Sequence, residues 1–199
     1  MKSPKQAKTI IVLFVEGDTE DAFYTELITF IKKKDKIIHA PIVKIINLQG
    51  INKYSRKIPA KLQLEIFPKY PDGIFHVFCC YDTDAFEFAE NPPVDWKKVE
   101  KSVKMLNIAS FNQIPAKRML EDWFLLCTEE LCKFLKIKKP PKISGNDGNR
   151  KMQDLFRKAN KIYIKGSYCE KFISYLDMEK IMQQKSELFK QLRQLLNSK

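Results

Sequence analysis

Two stretches, TIIVLFV at 9–15 and IFHVFCCY at 74–81, are continuous, apolar and rich in β-branched and aromatic residues. Strands without polar alternation are buried on both faces, the environment of a parallel sheet covered by helices on each side. Each run stops abruptly at carboxylates. The first ends in Glu16-Gly17-Asp18-Thr19-Glu20 and the second in Asp82-Thr83-Asp84. A charge abutting a buried strand needs a chemical reason, because desolvating it is costly.

The rest of the chain fills in an alternating pattern. Gly17 permits a tight turn, and Asp18 or Thr19 can cap a helix carrying Phe23, Leu27 and Phe30 or Ile31, which dissolves in Lys32-Lys33-Lys34. Residues 41–48 (PIVKIINL) read as a second strand. A weaker helix follows over 52–67, with Ile58, Leu62 and Ile66 on one face and Pro59 against it. An amphipathic basic helix spans 95–106, a short fourth strand 108–114, and 117–136 is expected to be largely helical. Strand and helix thus alternate four times. The expected fold class is α/β, a parallel sheet of about four strands flanked by helices.

Pro140 to Gly148 (PPKISGNDG) is the best linker candidate. It divides an α/β domain at 1–139 from a helical C-terminal extension at 140–199, packed on or next to it. Helices are expected near 149–160, 170–176 and 178–197. The last carries Ile181, Leu188, Leu192 and Leu195 or Leu196 as an apolar stripe.

In open parallel sheets, functional groups sit just beyond the carboxyl ends of the strands. Glu16, Asp82 and Asp84 fall there, and they converge if their strands are neighbours. Asp82 and Asp84, two apart, point the same way on an extended chain. Clustered carboxylates repel one another unless a cation is present, and Mg²⁺ or Mn²⁺ suits all-oxygen ligands. Glu20 and Glu87 can reach the same cavity. These five carboxylates are enough for two ions roughly 3.5–4 Å apart, the spacing of in-line phosphoryl-displacement sites. The competing reading is that Glu20 and Asp21 serve only the helix dipole.

Lys and Arg number 36 against 24 Asp and Glu, a net charge of +12, which favours polyanionic partners and nucleic acid above all. Lys117 and Arg118 follow the fourth strand and are the first candidates to meet substrate phosphates. Lys53, Arg56, Lys57 and Lys165 are further ones. Glu121 is expected to pair with Lys117 at helical spacing, the alternative being that it touches the metal site. Trp123, Phe124 and Leu126 are expected to pack on the sheet, and His76 to be a hydrogen-bonded core residue. No Ser or Cys has a neighbouring base, so covalent catalysis is not indicated. The five cysteines form no CxxC pair, which argues against a zinc site. Residues 1–8 lack a signal-peptide apolar region, and no apolar stretch is long enough to span a bilayer. The expectation is a cytoplasmic protein with reduced thiols.

VEGDTE at 15–20 and YDTD at 81–84 resemble the two signature motifs of Toprim domains, a Glu-Gly after the first strand and an Asp-x-Asp after the third. The second glutamate of Glu-Gly-x-x-Glu is closer to the overcoming-lysogenization-defect (OLD) nucleases than to topoisomerases. MLEDWFLL at 119–126 is similar to a segment of small stand-alone RloB-like proteins of bacterial defence islands. The resemblance covers roughly residues 9–127. It implies that Glu16 is a metal ligand or general acid/base, that Asp82 and Asp84 hold metal, that Glu20 is an auxiliary ligand, and that the activity is a nuclease with Mg²⁺ or Mn²⁺. The chain carries no P-loop, so an ATPase partner of the OLD kind would be separately encoded. The alternative expectation is a non-catalytic nucleic-acid-binding or regulatory subunit of a defence complex.

Overall fold

The computed structural model describes residues 7–87, 89–167 and 169–198. Strand β1 (Lys8–Val15) leads into α1 (Asp18–Lys34) and then β2 (Ile42–Asn47). A 3-10 turn and α2 (Tyr54–Lys61) lead to β3 (Gly73–Asp82). The short α3 (Asp84–Glu87) and α4 (Trp96–Lys104) precede β4 (Ser110–Ala116). All the strands pair in parallel, in the order β2-β1-β3-β4. The α/β sheet flanked by helices that the alternation predicts is therefore the one the chain forms.

Side-chain alternation on the sheet divides the core in two. Ile11, Leu13, Val15, Phe78, Cys80 and Ile114 face one layer of helices, which includes α1. Ile10, Val12, Phe14, Phe75, Val77 and Cys79 face the other, with Ile58 of α2 and Val99 and Val103 of α4. The apolar runs are continuous because both faces of these strands are covered.

The chain winds from β1 out to β2, then returns to add β3 on the opposite side of β1. This reversal opens a crevice between the carboxyl ends of β1 and β3. Tyr54, from α2, clamps the two ends together: its hydroxyl donates to the Cys80 carbonyl at 2.6 Å and lies 3.3 Å from that of Phe14.

Several helices differ from expectation. Helix α2 stops at Lys61 and passes into a π turn at Leu62–Ile66, because Pro59 offers no N–H to the carbonyl one turn back. Strand β4 runs two residues later than expected, to Ala116. The chain then loops through Arg118 at φ 62° and becomes helical only at α5 (Glu121–Phe124). A 3-10 turn separates α5 from α6 (Thr128–Leu135), which Lys136 ends at φ 61°. The remaining helices are α7 (Gly148–Arg157), α8 (Cys169–Ile173), α9 (Met178–Gln184) and α10 (Ser186–Leu196). The expected helix over 178–197 is thus two, broken at Lys185, whose φ of −120° is not helical.

The C-terminal extension packs on the α1 face and completes its core. Met152, Leu155, Phe156, Phe172, Ile181, Phe189, Leu192 and Leu196 are buried in one cluster with Leu13, Phe23 and Trp123. Gly148 opens α7 against α5, where a Cβ would stand 2.9 Å from the Asp122 nitrogen. The five cysteines are buried and unpaired. Among the described residues, no helix is long and apolar enough to cross a membrane.

Phe172 touches the rings of Phe124, Phe134, Phe156 and Tyr163. Phe172→Ala is expected to cost about 3–5 kcal/mol, with urea unfolding still a single transition. A second transition would show that the extension folds separately from the sheet.

Candidate functional site

Glu16 follows the last residue of β1, and Asp82 is the last of β3, so the crevice brings them together. The Glu16 Oε1 accepts from the Asp82 backbone N–H at 2.8 Å, bridging the two strand ends where their ladder stops. Asp82 is only 4% exposed. Its Oδ1 accepts from the Leu120 N–H at 2.8 Å, which ties the loop after β4 to the site.

Glu20 comes from the first turn of α1. Helical spacing from Asp18 turns it inward, and it is 3% exposed. Glu121, at the start of α5, is fully buried. Its Oε1 accepts from the Tyr163 hydroxyl at 2.9 Å. The Lys165 ammonium lies among these groups, 2.6 Å from Asp82 Oδ2, 3.6 Å from Glu20 Oε1 and 3.7 Å from Glu121 Oε2. Among the described residues, both Glu20 carboxylate oxygens and Glu121 Oε2 are buried without a hydrogen-bond partner. A cleft of about 280 Å³ opens beside Glu20, lined also by Gly17, Asp18, Asn47, Gln49 and Lys165, while Glu16, Asp82 and Glu121 lie outside its lining. The Asn47 amide holds its rim by donating to Asp18 at 2.6 Å.

Burial dominates the electrostatics. It pushes the Glu16 carboxyl up to about 7, against the pull of the Asp82 N–H. It pushes Asp82 up to about 8 even though Lys165 works the other way. Glu20 is raised for the same reason, opposed by Lys165. For Lys165, burial disfavours its charge, but the carboxylates of Asp82, Glu121 and Glu20 outweigh it and hold the ammonium above the ordinary lysine range. Tyr163 is raised by burial and by the Glu121 charge.

The sequence candidates separate on this frame. Glu16, Glu20 and Asp82 are brought together. Asp84 is not on the same extended segment as Asp82, because the strand ends at Asp82 and the chain turns at Thr83. The Thr83 N–H donates to the Ala116 carbonyl, and its hydroxyl oxygen accepts from the Arg118 N–H. Asp84 opens α3 half-exposed and accepts from the Ala85 N–H at 2.7 Å, so it stands at the mouth of the cluster. Glu87 is exposed and lies 3.5 Å from the Arg118 guanidinium. Lys117 is exposed, and its expected pairing with Glu121 is absent because 117–120 is not helical. Glu121 bonds Tyr163 instead. Lys53 and Lys57 are half-buried and Arg56 is exposed; Lys57 reaches toward the Leu48 carbonyl at 3.5 Å. His76 is a half-buried residue bonded to the Ser110 hydroxyl at 2.8 Å, and burial lowers its pKa.

Sequence reasoning weighed Lys165 behind Lys117 and Arg118, and did not find Tyr163 or the burial of Glu121. The one local trace is an alternation at 162–165, where Ile162 and Ile164 are exposed while Tyr163 and Lys165 turn inward. The hard, all-oxygen donor set with unpartnered buried oxygens matches the chemistry of Mg²⁺ or Mn²⁺. Among the described residues, no group of three or more His, Cys, Asp or Glu stands arranged to hold a metal ion, and Lys165 sits between the carboxylates. Comparisons with protein-family models, with curated proteins and with solved structures gave no match.

Glu16 and Asp82 keep protons in the folded chain that they lose, from ordinary values of 4.5 and 3.8, on unfolding. Unfolding therefore releases protons between about pH 4 and pH 8, and stability from this source falls as pH rises through that window. In chelator-treated buffer, the melting temperature of Asp82→Asn is expected to fall less steeply than that of wild type from pH 5 to pH 8. Parallel slopes would show that Asp82 titrates normally.

Proposed function

We propose that this protein is a metal-dependent phosphodiesterase acting on nucleic acid. One observation carries the reading: Glu16, Glu20, Asp82 and Glu121 are gathered at the crevice between β1 and β3, with three buried oxygens that no donor satisfies. A parallel sheet presents its reactive groups at this edge, and carboxylates are not buried together there without a cation. The net charge of +12 supports a polyanionic substrate. The resemblance of VEGDTE and YDTD to Toprim motifs supports the same chemistry.

Glu16, Glu20 and Asp82 are the residues that would hold Mg²⁺ or Mn²⁺, with Asp84 at the mouth. A bound ion would supply Lewis-acid charge for phosphoryl oxygens and acidify water. The chain contributes the rest. In the metal-free chain Glu16 is raised to about 7, so holding an ion would release its proton near neutral pH. Asp82 is held in register by the Leu120 N–H, and Tyr54 fixes the separation of the strand ends that carry both carboxylates. Arg118 and Lys117, on the loop beyond β4, lie at the same sheet edge and are the cations nearest to hand for flanking phosphates.

A second reading, a nucleic-acid-binding module without turnover, is favoured by Lys165. Its ammonium already partly neutralises the cluster from within the chain.

The test is cleavage of single- and double-stranded DNA and RNA with Mg²⁺ or Mn²⁺. Asp82→Asn and Glu16→Gln are each expected to reduce metal-dependent cleavage at least about 100-fold. Undiminished cleavage in both variants would sink the proposal. Salt-sensitive binding without any cleavage would favour the second reading.

A further inference from the structure

The Lys165 ammonium has three hydrogens to donate but, among the described residues, makes one hydrogen bond, to Asp82. It stands 3.6 and 3.7 Å from Glu20 and Glu121, too far to satisfy the oxygens it faces. One positive charge therefore sits among four carboxyl groups, two of them with orphaned oxygens. A buried carboxylate oxygen without a donor is costly, and a protein keeps such groups when something other than the fold uses them. An ion of twice the charge that drew these oxygens in to about 2.0–2.1 Å would answer both deficits.

Lys165 is also mounted to leave. Its side chain keeps 36% of its surface exposed, so the ammonium has a way out to water. Residues 161–164 run outside helix and strand, and Lys165 and Gly166 form a turn in which Gly166 adopts φ +82°. This strap is pinned by the Gly166 N–H donating to the Thr19 hydroxyl at 2.7 Å and by the Tyr163–Glu121 bond. Tyr163 itself is anchored in the core against Phe156 and Phe172, so the part that opens at low cost is the 164–166 turn beyond it, which has few fixed backbone bonds.

We infer that the Lys165 ammonium occupies a divalent-cation position, that Glu121 joins Glu20 and Asp82 as a ligand there, and that metal entry displaces the lysine and loosens the 164–166 turn. This rests on the metal-dependent reading above and adds Glu121 and Lys165 to it. Lys165 then acts as a counter-cation that keeps the metal-free cluster from repelling itself apart, and every ion that binds must compete with it. With the lysine in this place, no three of the described carboxylates stand arranged to hold an ion.

The test is calorimetric titration of Mn²⁺ into the full chain, with folding of each variant checked by circular dichroism. Lys165→Met is expected to bind at least about tenfold tighter than wild type, since a cation is removed from beside the ion. Lys165→Arg, which keeps the charge, is expected not to. Glu121→Gln, which can still accept from Tyr163, is expected to bind about tenfold weaker. The wild-type chain supplies a second readout independent of any variant's stability: tryptic cleavage after Lys165 is expected to accelerate in Mn²⁺, relative to an unstructured control substrate. If wild type binds Mn²⁺ but Lys165→Met binds equally or more weakly, the displacement is wrong and the metal-dependent reading stands. Unchanged binding by Glu121→Gln removes Glu121 as a ligand, and unchanged cleavage in Mn²⁺ removes the movement of the turn. Absence of Mn²⁺ binding in wild type and all variants overturns this inference and the metal-dependent reading together.

Discussion

The contact between the Lys165 ammonium and the carboxylates of Asp82, Glu20 and Glu121 is the interaction on which the arrangement of this edge of the molecule depends. Burying a carboxylate costs several kcal/mol, and burying Glu20, Asp82 and Glu121 beside half-buried Glu16 compounds that by repulsion. The chain meets the cost with the lysine, with backbone donors from Asp82 and Leu120, and with the Tyr163 hydroxyl. It also meets it by protonation, since Glu16 and Asp82 are raised to about 7 and 8. The settlement is incomplete, as the orphaned oxygens of Glu20 and Glu121 record. The proposed function accounts for this incomplete satisfaction at the crevice.

That contact also gives the C-terminal helices a role at the site. Their apolar residues cover the α1 face of the sheet. Between α7 and α8 the chain crosses back over the ends of β1 and β3 to place Tyr163 and Lys165. The ends of β1 and β3 with α1 and α5 supply the carboxylates, and the extension supplies Lys165. The expected division at 139/140 marks a change in local structure, while the buried core and the site both straddle it.

Much of the fold was legible because burial on two faces and helical period are local patterns. The runs at 9–15 and 74–81 sit within β1 and β3, and the spacing of Phe23, Leu27 and Ile31 marks the buried face of α1. Boundaries failed where a single residue overrides the period. Arg118 takes positive φ, Pro59 withdraws a donor, and Lys185 breaks a helix whose apolar stripe runs through it, whereas Lys136, also at positive φ, ends α6 where the helical stretch was expected to end. The Lys117–Glu121 pairing failed for the first of these reasons, since it assumed a helix where the chain loops.

By itself the sequence determined the strand order in the chain, the layering, and the presence of acids at two strand ends, because each depends on residues close to one another in the chain. It also pointed to Glu16, Glu20 and Asp82, since strand ends and the first turn of a helix have fixed positions relative to a parallel sheet. Only the tertiary structure decided that Asp84 and Glu87 stay at the mouth or outside, that Glu121 is buried, and that Lys165, 83 residues from Asp82, is the cation inside. Those outcomes turn on how a loop bends after its strand and where a strap lies on a helix. Long-range packing energy selects such geometry, and no local period records it.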